Sequence, residues 1–161
     1  PRSLDVDVVL DLMIHDIDIV LSLTGAMPEE IRAAGISILS SKVDIANVRL
    51  QFANGLIANL TASRVSVERV RRVRIFQRDT FISLDYSQQE IAVYHRIPAA
   101  DSSAETPPTI VKEEIPIDKA EPLRVELESF IECVQTRRRP LVSGEDGRDA
   151  LKVASQIMEK L

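Results

Sequence analysis

The feature that most constrains the fold of this 161-residue chain is a long run with a two-residue hydrophobic repeat, which begins at Ile31. The repeat is clearest around Asn54-Gly55. Its apolar positions are Ala46, Val48, Leu50 and Phe52 before that pair, and Leu56, Ala58, Leu60 and Ala62 after it. An Asn-Gly pair between two alternating segments is a strong hairpin signal, because both residues adopt positive φ readily. The sequence therefore predicts an antiparallel meander, with a second hairpin at Arg78-Asp79.

Helices are predicted on both sides of this meander. Residues 11–23 show helical periodicity, and two more helical patterns cover residues 121–136 and 143–161. Before the second of these helices, residues 98–109 are predicted to form a loop or linker rich in Pro, Ser and Ala, and "IVKEEIPI" is predicted to form an edge strand. A helix, a run of strands and then helices predict an α+β fold: an open-faced, mostly antiparallel mixed β-sheet with helices packed on one face.

Composition narrows the class of protein. With 45% hydrophobic residues, residues 1–161 are expected to form a single domain. The net charge of −5 argues against nucleic acid as a partner, and no apolar run is long enough to predict a membrane partner. Cys133 is the only cysteine, which fits a reducing compartment and predicts a cytoplasmic location. Because the sequence begins at Pro1 rather than Met, we expect it to be a piece of a longer protein.

Ionisable residues interrupt the apolar first helix in an ordered way. At helical pitch a stripe roughly 60° wide holds Asp11, His15, Asp18 and Ser22. A buried carboxylate is costly unless it is paired or faces a wet cleft, so the stripe is predicted to line a cavity. The alternatives are a hydrogen-bonded core histidine beside carboxylates that bind backbone amides, or a metal site. Asp11 and His15 alone are too few ligands for a tight zinc site, so no metal is predicted.

Three stretches taken together resemble the Gfo/Idh/MocA oxidoreductases. "DVVLDLMIHDID" is similar to the D-x-x-x-H motif of that family, and the meander resembles its open-faced sheet. "EPLRVELESFIECVQTRRRPLVSGEDGRDALKVASQI" is similar to its closing helix pair. The resemblance covers nearly the whole chain. It implies a C-terminal substrate-binding and oligomerisation domain whose partner, an N-terminal Rossmann domain, is absent from this chain.

The resemblance also implies a reaction, the NAD(P)-dependent oxidation of a sugar hydroxyl. His15 would be the general acid/base, and Asp11 would orient its imidazole or bind an adjacent hydroxyl. Asp18 and Arg64 are predicted to bind substrate, with Arg64 neutralising a diphosphate. The reason is that "DLMIHDIDIVLSL" and the basic run "TASRVSVERVRRVRIF" resemble the sequences of family members that act on nucleotide-linked amino sugars. The alternative is that Asp18 is structural and that Arg64 and the basic run after it face solvent or an oligomer partner.

The cofactor, NAD or NADP, would be bound mainly by the missing N-terminal domain. No G-x-G-x-x-G or E-K-P segment occurs in the sequence, so its cofactor-binding residues are unassigned and the fragment alone is expected to be inactive.

A rival hypothesis is a non-catalytic dimerisation or ligand-binding module. Both hypotheses predict a homodimer or higher homo-oligomer through the open face of the sheet. They differ at the stripe, because an enzyme domain should leave His15 and Asp11 at an open rim, whereas a scaffold should bury them.

Overall fold

The computed structural model describes residues 5–67, 70–98 and 108–161. A π-helical turn, Val9–Met13, continues directly into helix α1, Ile14–Thr24. The strands are β1 (Glu30–Ile36), β2 (Ile45–Gln51), β3 (Ile57–Ser63), β4 (Arg72–Phe76), β5 (Thr80–Asp85), β6 (Glu90–Ile97) and β7 (Thr109–Ile115). Helices α2 (Pro122–Thr136) and α3 (Gly144–Met158) follow. The predicted α+β class is confirmed.

The strands form two antiparallel sheets, with the orders β1-β2-β3 and β4-β5-β6-β7, where the sequence predicted one mixed sheet. A local cause lies at the end of β3. The Ser63 hydroxyl accepts the backbone N–H groups of Val65 and Ser66, both at 3.2 Å, and this turn ends the strand. Strand β7 lies at a sheet edge, as its sequence predicted.

The chain divides into two compact units, Pro1–Val67 with Glu132–Leu161, and Glu68–Ile131. That residues 1–161 act as a single substrate-binding domain stays a prediction. The predicted loop or linker falls mainly on residues 99–107, which lie outside the described residues.

Both predicted hairpins are confirmed. Strands β2 and β3 pair from Gln51↔Ile57 outward, Gly55 has a φ of 83°, and the Asn54 side chain accepts the Leu56 N–H at 3.0 Å. The Arg78-Asp79 pair lies in the turn between β4 and β5. The apolar alternation faces the core as predicted. Its buried members are Ala46, Val48, Leu50, Phe52, Leu60 and Ala62.

The core of the first unit lies between the β1-β2-β3 sheet and two helices. Met13 and Ile17 are fully buried from the side of α1, and Val153 and Ile157 from the side of α3. Burial of side chains of this size contributes about 1.5–3 kcal/mol each, which holds the helix that carries Asp11 and His15 against the sheet.

Helix α2 differs from what its periodicity predicts. Five apolar residues whose helical spacing indicates one packed face are each more than half exposed: Leu123, Leu127, Phe130, Ile131 and Val134. Cys133 is the buried residue of this helix. Periodicity therefore located the helix and its apolar stripe, but it did not determine what the stripe contacts.

Candidate functional site

Asp11 and His15 lie where a π-helical turn becomes an α-helix. The Ile14 N–H donates to the carbonyl of Val9, five residues earlier, so Asp11 belongs to the wider turn and His15 to the first α-helical turn. Single π turns occur frequently at functional sites. His15 is exposed and Asp11 is half-buried. An enzyme domain requires such an accessible pair, whereas a scaffold has no need of it.

The polar stripe continues along the surface of α1. Asp18 is half-buried and Ser22 is exposed, while Ile17 on another side of the helix is fully buried. The stripe therefore faces outward from the first unit, although the apolar residues around it are typical of a buried helix. The physical reason is that two turns of apolar side chains are only partly covered by the sheet and α3. The binding role predicted for Asp18 stays a prediction.

Arg64 follows β3 and turns inward. Its side chain is only 8% exposed, its Nη2 donates to the carbonyl of Val6 at 2.5 Å, and its Nε lies 3.6 Å from Oδ1 of Asp44. These contacts join Arg64 to groups of the chain itself. Its predicted role in binding a diphosphate stays a prediction.

Asp44 is a buried carboxylate that the sequence analysis missed. Its side chain is fully buried, and Oδ2 accepts the backbone N–H groups of Ile38, Leu39 and Ser40 at 2.7, 2.6 and 3.1 Å. These bonds, led by the one from Ile38, lower the pKa of Asp44 below its ordinary value of 3.8, against the opposing effect of burial. The signal was available, because extending the β2–β3 register by one residue places Asp44 opposite Arg64.

The arginines between β3 and the end of β4 have different environments. Arg72 pairs with Asp85 at 2.8 Å. The pKa of Asp85 is lowered mainly by the hydrogen bond from the Gln88 backbone N–H and next by this bond from Arg72. Arg71 and Arg74 are exposed, and Arg69 lies outside the described residues. The second histidine of the chain, His95, lies in β6 with its Nε2 3.4 Å from Glu113.

The glycines test whether this chain could hold a dinucleotide. A pyrophosphate site needs a Gly-rich turn between a strand and a helix. Gly25 ends α1, Gly55 turns the hairpin, and Gly144 lies in the first turn of α3. In the described part of the chain, none of these turns joins a strand to the start of a helix. The residues present therefore do not fit the pyrophosphate of NAD(P).

Within the described ranges, no group of three or more His, Cys, Asp and Glu residues is arranged to hold a metal ion. Nor does any helix there have the length and apolarity needed to cross a membrane.

Comparison with known proteins gives a consistent picture. Residues 2–81 match the family described as GFO/IDH/MocA C-terminal domain. UDP-N-acetylglucosamine 3-dehydrogenase of Acidithiobacillus ferrooxidans is 39% identical over 157 residues, covering 98% of this chain and 49% of the relative. The solved structure of that species' UDP-N-acetylglucosamine 3-dehydrogenase GnnA superposes with a TM-score of 0.87 at 37% identity, over 100% of this chain and 49% of that one.

A more distant structure shares the fold. Levoglucosan dehydrogenase in complex with NADH matches with a TM-score of 0.74 at 17% identity, over 93% of this chain and 46% of that one. The chain thus spans about half the length of the relatives it matches. Sequence, fold and family match agree: the chain belongs to the GFO/IDH/MocA family and corresponds to its C-terminal domain.

Proposed function

We propose that the full-length protein containing this chain is an NAD(P)-dependent dehydrogenase that oxidises a hydroxyl of a nucleotide-linked amino sugar. The observation that carries the proposal is the accessible pair formed by exposed His15 and half-buried Asp11 at the start of α1. The 39% identity to a UDP-N-acetylglucosamine 3-dehydrogenase supports this substrate class. A free sugar or polyol is the alternative substrate.

The residues of this chain would supply the proton-transfer half of the reaction. Oxidising an alcohol removes a hydride from carbon and a proton from oxygen, and a nicotinamide bound by the other half of the protein would take the hydride. His15 accepts the hydroxyl proton, a task suited to imidazole near neutral pH. Asp11 lies four residues earlier, at a spacing that places two side chains together on a helix, and holds the imidazole or a neighbouring hydroxyl. Asp18, one turn further along, is the proposed third contact with substrate.

The two histidines provide a matched test in the full-length protein. Turnover is followed as nicotinamide reduction with UDP-N-acetylglucosamine, free sugars and inositol. His15→Asn is expected to lower kcat by about 10²–10⁴-fold, as for loss of a general base, and Asp11→Asn by a smaller factor. His95→Asn changes the histidine of β6 and should leave kcat unchanged. Equal kcat values in the two histidine variants would contradict the proposed roles.

We further propose that the second sheet pairs two copies of the protein. One face of this sheet carries an aromatic row, with Phe76 and Phe81 stacked at 4.7 Å between ring centroids and Phe81 and Tyr94 at 5.2 Å. Phe76 is 74% exposed. An exposed aromatic surface of this kind is typical of a protein interface.

Charge complementarity favours a second copy as the partner of this face. The row next to the aromatic one begins with Arg74 on edge strand β4 and ends with Glu114 on edge strand β7. A two-fold axis parallel to the strands lays each β4 edge over the partner's β7 edge. Arg74 of each copy then lies opposite Glu114 of the other copy, beside the Lys112 that Glu114 already binds, and this contact occurs twice, as an isologous interface requires.

The lone cysteine supports a reducing compartment, and we propose the cytoplasm as the location.

A further inference from the structure

The segment before the π-helical turn is tied to the loop between β1 and β2. Oδ1 of Asp7 accepts the backbone N–H of Val43 at 2.9 Å, and the N–H of Val8 donates to the carbonyl of Val43, also at 2.9 Å. The carbonyl of Asp7 accepts the N–H groups of Leu10 and Asp11 at 3.1 and 3.0 Å. Asp7 therefore joins the loop to the backbone of Asp11 through one residue.

Arg64 holds the same segment from the end of β3. Its Nη2 donates to the carbonyl of Val6, the residue before Asp7, and its backbone N–H donates to the carbonyl of Asp44 at 3.0 Å. The Asp44 carboxylate, 3.6 Å from the Arg64 Nε, is itself fixed by the backbone of residues 38–40. A buried pair held in this way is rigid, because moving either member would leave a charge without compensation.

Packing fixes the loop side of the tether as well. A Cβ added to Gly35 in β1 would lie 2.6 Å from Cγ1 of Val43 and 3.2 Å from the carbonyl oxygen of Ile45. Val43 thus fills the space that the missing side chain of Gly35 leaves. Val43, which bonds both Asp7 and Val8, is consequently held against the sheet.

We infer that Asp7 and Arg64 are positioning residues, which fix the backbone of the π turn and so the placement of Asp11 relative to His15. The inference rests on the proposed function. A π turn contains one residue more than the α-helical turn it replaces, and each residue of an α-helix adds about 100° of rotation. Releasing the segment before the turn lets the extra residue redistribute, which changes the angle about the helix axis between Asp11 and His15. The tether prevents that rotation.

Full-length protein with substitutions at Asp7 tests the inference. Asp7→Ala removes the acceptor of the Val43 N–H, whereas Asp7→Asn keeps an oxygen at the same place. Asp7→Ala should lower kcat for UDP-N-acetylglucosamine by about 10–100-fold, since small displacements of catalytic groups have effects of this size, while KM changes less than about twofold. The solvent deuterium isotope effect on kcat should rise, because proton transfer to a His15 that Asp11 no longer orients becomes rate-limiting. Asp7→Asn should restore both.

Two further variants make the test specific. Asp5→Ala removes an exposed carboxylate two residues away and should behave as wild type. Arg64→Lys keeps the charge beside Asp44 but loses the fork that reaches the Val6 carbonyl, and should reproduce the rise in isotope effect even where Asp7→Ala folds poorly.

The outcomes separate the inference from the proposed function. An Asp7→Ala enzyme with a lower melting temperature but an unchanged isotope effect overturns the positioning role, since Asp7 then acts on stability alone. Wild-type turnover in Asp7→Ala beside its loss in His15→Asn overturns the inference and leaves the proposed function in place. Wild-type turnover in both overturns both.

Discussion

Single residues in this chain take their roles from what the fold brings near them. Asp11 and His15 are four positions apart, so a place on the same side of the helix could be predicted for them. Arg64 was predicted to bind substrate, which stays a prediction, and its side chain lies beside Asp44 and the Val6 carbonyl. That partner could be found from the sequence only by extending the register of the whole β2–β3 hairpin, which places Asp44 opposite Arg64.

The hydrogen-bonded carboxylate of Asp44 predicts how stability depends on pH. Its pKa is lower in the folded chain than the ordinary value of 3.8, so its contribution is complete above that value and is lost as pH falls through the lower folded value. Asp44→Asn should therefore reduce stability at pH 7 and approach the wild type in more acidic solution. Urea unfolding midpoints measured from pH 7 downward check this.

Asp118→Asn is the control for that series, because Asp118 is exposed. It should follow the pH dependence of the wild type. A constant difference between Asp44→Asn and wild type at every pH would contradict the argument.

At the scale of elements, local signals determined most of what the sequence predicted correctly. The Asn-Gly turn specified the first hairpin, and the predicted helix 143–161 begins at a capping box in which Ser143 and Asp146 bond each other's backbone N–H. The π turn was not predictable, because one inserted residue hardly alters a helical hydrophobic pattern. The segment just before it is held by the bond that Asp7 and Val43 make across 36 residues.

The cap of α3 predicts a measurable loss of helix stability. The Ser143 hydroxyl accepts the Asp146 N–H at 3.4 Å, and the Asp146 carboxylate accepts the Ser143 N–H at 2.7 Å. Ser143→Ala should lower the free energy of unfolding by about 1 kcal/mol, the usual effect of losing an N-cap side chain. Ser155→Ala, on the exposed side of the same helix, should change it by less than about 0.5 kcal/mol. Equal effects in chemical denaturation would show that the cap is unimportant.

For the molecule as a whole, surface composition did not reveal which faces are covered. The sequence predicted helices on one face of one sheet, and the structure has two sheets, with α2 exposing its apolar stripe. Hydrophobic periodicity reports that a face is apolar, and the same pattern arises whether a helix, another domain or a second copy covers it. The aromatic row on β4, β5 and β6 is a surface of this kind.

The proposed pairing of two copies predicts the effect of charge in that row. Phe76→Asp places a carboxylate at the most exposed ring and should convert a dimer of the full-length protein into a monomer, as measured by light scattering after size exclusion. Leu141→Asp, at an apolar residue that is 95% exposed outside the sheet, should leave the mass unchanged. A Phe76→Asp protein with the mass of the wild type would exclude this face as the interface.

The sequence by itself determined the elements, the two hairpins and the spacing of Asp11 and His15, because these depend on interactions between residues close along the chain. Tertiary structure alone decided that His15 is accessible, that Arg64 turns inward to Asp44, and that Asp11 lies in a π turn. Each of these depends on contacts between segments that are distant in sequence, and such contacts form only once β2 and β3 have paired and the helices have packed on their sheet.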